Sequence, residues 1–175
     1  MPYILALMAL VAGAFFWAQR ARNAADVTRE LAGVASDVAA AARRFGFRRR
    51  GDLHPVESLE DADIAVAGAG IAFLELGGLP SAEQQDKLIV SLQARLGMDH
   101  DKAKEALILG RWLVTESQGA QPGLTRLVRR YAKMKGMAGF ETLMLVLRDV
   151  TDANDGVISP RQGDALDEVK YIYKL

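Results

Sequence analysis

Cysteine is absent from the chain, which excludes disulfides, thiolate-ligated zinc and thiol catalysis together. Histidine is almost as scarce, since His54 and His100 stand alone, far apart and without zinc-site spacing. No histidine or cysteine can therefore be paired with a nucleophile, and no enzyme is expected. Strand-like alternation is also missing beyond residue 58, whereas apolar residues recur there at steps of three and four. An all-α class follows, with room in 175 residues for one sizeable core.

Neither sign of charge dominates, but the zero net charge hides a division. Residues 19 to 50 carry eight arginines against three acids, while the remainder carries fourteen basic residues against nineteen acidic ones. Two regions with different surroundings are implied.

What is present begins with an uncharged apolar run, PYILALMALVAGAFFWA, followed at once by Gln19, Arg20 and Arg22. A transmembrane anchor over residues 2–19 is expected, because about 20 helical residues cross the hydrocarbon layer and the basic collar lies on the far side of the run. That charge order predicts a single pass with the carboxy-terminal domain in the cytoplasm, and it argues against a cleaved leader, which needs a basic start.

Residues 20–50 are expected to form a basic amphipathic juxtamembrane helix, with Val27, Leu31, Val34, Val38, Ala41 or Ala42, and Phe45 along one stripe. Membrane lipids are the expected partner of Arg43, Arg44, Arg48, Arg49 and Arg50, with Phe45 and Phe47 dipping into the interface. The rival use of that stripe is pairing, either with a second copy through residues 21–45 or with a partner's membrane helix. Nucleic acid is not expected, since the lipid surface competes first for the arginines.

Gly51 and Pro55 mark a linker over residues 51–58, with His54 inside it and Ser58 and Asp61 as a capping pair. A helical domain over 59–175 follows, its helices expected at 59–75, 82–96, 100–117, 123–134, 138–152 and 160–173. Within the first, AGAGIA contains a GxG but lacks the strand and the acidic residue of a dinucleotide site, so its small residues are assigned to close helix packing. Trp112 reads as core with Leu109 and Leu113. A shift of 78 residues lays Gly78, Ser81, Gln84, Asp86 and Leu88 over Gly156, Ser159, Gln162, Asp164 and Leu166, which predicts two related helix junctions.

The second junction, DVTDANDGVISPRQGD, is rich in carboxylates. With Gly156 at the sixth position of a calcium loop, Asp155 and Ile158 fit, but Thr151, Ala153 and Gln162 occupy three ligand positions. A weak divalent-cation site remains open to Asp149, Asp152, Asp155 and Asp164, with Asp167 or Glu168 as further oxygen donors. The other reading is structural: Asp155 and Gly156 make a turn, and Ser159 caps the next helix.

DVTDANDGVISPRQGDALDEV, with the earlier AFLELGGLPSAEQQDKLI, resembles the paired turns of the tellurite-resistance TerB-like family, related to the DjlA amino-terminal helical domain. Asp155, Gly156, Ile158 and Ser159 match the second turn, and Gly78 and Ser81 the first. Gln162 and Gln84 stand where the family has glutamate, and Gly77 where it has aspartate. The resemblance covers roughly residues 60 to 175 and implies a compact multi-helix fold with a metal-binding or partner-binding face. Combined with the anchor, it implies a non-enzymatic interaction module in the bacterial inner membrane, engaged in stress response with an unidentified protein partner. The alternative it leaves is a metal-binding or sensing protein using residues 149–168.

Overall fold

The segments with three-and-four periodicity are helices in the computed structural model, which describes residues 33–48, 50–152 and 156–175. In chain order they are α1, whose described part runs from 33 to 44, α2 (Ala62–Gly77), α3 (Ala82–Leu96), α4 (His100–Glu116), α5 (Ala120–Lys135), α6 (Ala138–Asp152) and α7 (Pro160–Tyr173). No strand occurs among the described residues. The chain divides into two units, Met1–Asp37 and Val38–Leu175, and of the first only residues 33–37 are described.

Local chemistry sets the helix starts. Asp61, Ser81, Asp99 and Ser159 each place a side-chain oxygen on a backbone N–H of the first turn of α2, α3, α4 and α7. Gly97 ends α3 in the left-handed conformation, φ 67°, which only glycine enters without strain. Helix α5 begins three residues ahead of the expected 123, at Ala120. Its Pro122 lies in the first turn, where a missing N–H costs nothing.

Helix α2 is apolar nearly all round and is the axis of the second unit. Packing buries it from Ala62 to Leu74 without interruption apart from Asp63, and α4 and α5 form its most extensive neighbours. Its small residues admit the neighbours closely, as AGAGIA suggests. A Cβ on Gly110 of α4 would fall 2.8 Å from the Gly68 backbone, and one on Gly70 would fall 2.7 Å from Leu88 of α3. Leu127 of α5 closes over Gly68 in the same way. Leu109 and Leu113 are fully buried as expected, while Trp112 is partly buried and meets the Phe47 ring edge-on at 5.8 Å.

Several expectations for the amino-terminal half are corrected. No helix among the described residues is long and apolar enough to cross a membrane, so the fold is a helical bundle without a described transmembrane helix. The anchor expected at 2–19 lies outside the described residues, and the single-pass inner-membrane topology built on it is not carried further. From Val38 onward the amphipathic stripe is covered by the domain itself, whereas Val34 is 58% exposed. Ala41 is fully buried, and Val38, Ala42, Phe45 and Phe47 pack on the domain's own core. Lys102 Nζ sits 5.6 Å from the Phe45 ring centroid, closing that face with a cation–π contact.

The arginines assigned to a lipid surface divide likewise. Arg44 pairs with Glu105 at 2.9 Å, and Arg50 pairs with Glu60. Arg43 and Arg48 are exposed, and Arg49 lies outside the described residues. Nor is 51–58 a free linker, because Pro55–Ser58 form a 3-10 turn with Val56 and the following Leu59 fully buried. His54 Nδ1 accepts from Val56 N, and its Nε2 lies 3.2 Å from Glu116 O, tying the turn to the end of α4. Ser58 accepts from Arg50 N rather than capping α2; Asp61 does that, accepting from Asp63 N at 2.9 Å.

Candidate functional site

The two turns related by 78 residues fold alike. Gly78 and Gly156 both take positive φ, 133° and 72°, and each leads to a serine that starts a helix. Ser81 Oγ accepts from Gln84 N at 3.2 Å, while Gln84 Oε1 accepts from Ser81 N at 2.9 Å. Ser159 and Gln162 repeat both bonds at the same two distances. Each pair is a reciprocal capping box, for which an amide serves as well as a carboxylate.

The copies differ in what they touch beyond themselves. Gln84 is partly exposed, but Gln162 is only 8% exposed, and its Nε2 donates to Phe73 O at 3.0 Å. Ser159 Oγ reaches Leu76 O at 3.3 Å. The start of α7 thereby satisfies the Leu76 carbonyl, which α2 itself leaves unpaired, and adds a second donor to that of Phe73. A glutamate at 162, ionised at neutral pH, could cap α7 but could not donate to Phe73 O. Gly77 belongs to the same contact, since a Cβ there would fall 2.9 Å from Gln162 Nε2.

The described carboxylates do not assemble into a cation site. Asp149 accepts from Ser91 Oγ at 2.7 Å and takes a two-point contact from Arg95, with Nε at 3.0 Å and Nη2 at 3.1 Å. Asp152 and Asp164 are exposed, and Asp155 lies outside the described residues. Glu168 is taken by Gln121 and Thr125, and Asp167 by Lys170. Among the described residues, no group of three or more His, Asp or Glu side chains is placed to hold a metal ion. The metal-sensing alternative is corrected accordingly: Asp149 is the anionic half of a tie between α3 and α6.

That tie has a pH signature. The hydrogen bonds from Arg95 above all, with Ser91 adding to them, hold the Asp149 carboxyl below its ordinary value of 3.8, against the opposing effect of partial burial. A depressed carboxyl contributes stability above its unfolded value and loses it as pH falls through the folded one. Urea unfolding of wild type and Arg95→Met should therefore differ most at neutral pH and converge in strong acid. A difference that stays constant across the acid range would show that the pair contributes only packing.

Between the two capped starts lies a small cleft of about 180 Å³, lined by Leu74, Gly77, Gln84, Val150, Ile158 and Gln162 among others. Two exposed apolar side chains line it, Val157 at 65% and Ile158 at 40% exposure. Leu79, on the loop leaving Gly77, is 98% exposed and stands outside that lining. Sequence reasoning found the turns and their caps but missed these exposed apolar residues, although Leu79 and Val157 are themselves 78 residues apart. No family model matches the chain, and no curated protein or solved structure matches it either.

Proposed function

We propose that the chain is a non-enzymatic helical binding module of the TerB-like type, which receives an apolar side chain of a partner protein at the junction of α2, α3, α6 and α7. The observation that carries it is the pair of exposed apolar side chains, Val157 and Ile158, lining the cleft. Single exposed apolar residues are ordinary, but two adjacent ones on one concavity form a surface that gains by being covered. The matching capped turns support the TerB-like reading, because the resemblance rests on those residues. The polar groups of the junction are engaged in holding it together, which suits a rigid receiving surface.

A photoreactive residue at position 157 tests this in cells, with position 90 as the control because Val90 is 58% exposed on α3 and does not line the cleft. One discrete crosslinked species at 157, absent at 90 and abolished by Ile158→Glu, is expected. Equal labelling at both positions would defeat the reading. Ile158→Glu, at an exposed position, should leave stability within about 0.5 kcal/mol of wild type, as for a surface change, so that lost crosslinking reports binding rather than unfolding.

A further inference from the structure

A second surface, remote in sequence from the junction turns, carries charge of one sign. Helix α5 reads AQPGLTRLVRRYAKMK, with Arg126, Arg129, Arg130, Lys133 and Lys135 and no acidic residue. Arg126, Arg129, Arg130 and Lys133 follow the three-and-four spacing of one helix face. Two of these are committed within the fold: Arg126 lies 3.5 Å from Glu57, and Arg130 donates to Leu59 O. Arg129 and Lys133 are exposed and have no ion pair among the described residues, and neither does Lys174 just past α7.

Arg129 and Lys174 line an apolar groove, and Lys133 follows Arg129 by one turn on the same face of α5. Arg129, Tyr171, Ile172, Lys174 and Leu175 line a concavity of about 530 Å³ where α5 packs beside α7. Tyr171 is 79% exposed and Leu175 is 65% exposed, so the apolar lining faces solvent rather than the core. An aromatic with a polar tip and unpaired arginine are the residue types that anchor protein interfaces.

We infer that this groove binds an acidic, amphipathic segment of a partner protein, its apolar side chains against Tyr171, Ile172 and Leu175 and its carboxylates toward Arg129, Lys133 and Lys174. Charge complementarity selects the occupant's sign, and the apolar floor selects its other half. A nucleic-acid strand would lay a solvated polyphosphate across aliphatic side chains and find one aromatic where a run of bases needs several. A bilayer surface is planar and leaves a concavity unfilled. The inference does not depend on the junction cleft, which lies at the opposite end of α7.

The test is fluorescence anisotropy of the full chain with a labelled synthetic peptide carrying leucines on one helical face and glutamates on the other. Saturable binding is expected, weakened about tenfold or more by Tyr171→Ala and by Arg129→Glu, both exposed positions where the fold should hold. A scrambled peptide of equal composition should bind far more weakly. Absence of saturable binding overturns the inference, and so does equal binding of the scrambled peptide, which would reduce the surface to bare charge. Tyr171-dependent binding of single-stranded DNA or of phosphatidylglycerol vesicles, tighter than that of the peptide, would assign the groove to those partners instead.

Discussion

Gly110→Ala should destabilise the domain by about 3 kcal/mol, and Gly110→Val should leave no cooperative unfolding transition. In an exposed helix the glycine-to-alanine change is favourable by about 1 kcal/mol, so the expected sign is opposite to propensity. The reason is the crossing of α2 and α4, where the added Cβ would sit 2.8 Å from both Cα and N of Gly68. Backbone cannot swing aside as a side-chain terminus can. The two helices must separate, and α2 has α5 packed along another side. Gly163→Ala supplies the contrast within α7, because nothing lies within 4 Å of a Cβ there. That variant should gain about 0.5–1 kcal/mol. Urea midpoints of the two variants moving in opposite directions would verify the crossing, and a stabilised Gly110→Ala would refute it.

Gln162→Glu is the second large effect, and it separates capping from tertiary tethering. The substitution keeps an acceptor for Ser159 N, yet it should destabilise the domain by about 2–3 kcal/mol at neutral pH. The loss comes from Phe73 O, which would lose the Nε2 donor now 3.0 Å away and face a buried carboxylate instead. Such a carboxylate has its folded pKa raised, so the destabilisation is present above that value and fades as pH falls through it. The protonated form can donate to Phe73 O again. Gln84→Glu, at the partly exposed copy, should change stability little. Equal effects at 84 and 162 in denaturant titrations would show that the tether contributes nothing beyond the cap.

These contrasts also mark what the sequence could disclose. The helices from α3 to α7 were legible because their apolar periodicity is local, as are the caps of α3, α4 and α7, and S-x-x-Q appears at both turns in plain letters. The assignment of AGAGIA to close packing was legible for the same reason, although Gly110 as its counterpart was not. The stripe through Val38, Ala41 and Phe45 announced a covered face without naming the cover. Lipid and the domain's own core satisfy the same pattern, and the structure gives the core. Asp149 was legible as an acid in an acidic stretch, but its partners Ser91 and Arg95 come from a helix more than fifty residues earlier. Tertiary partners of single polar side chains leave no periodicity to read. Leu79 was passed over because an apolar residue in a turn carries no period at all.

The all-round burial of α2 has a consequence for synthesis on the ribosome. Residues 62–77 are translated before every helix that packs against them from α3 to α7, and the last of those contacts waits for α7. Until then an almost uncharged apolar segment is outside the exit tunnel with its cover incomplete. Chains truncated after α4 should therefore be held by chaperones or aggregate, and chains released after α7 should not. The central position that stabilises the finished domain makes its first segment the one most in need of protection while the chain is being made.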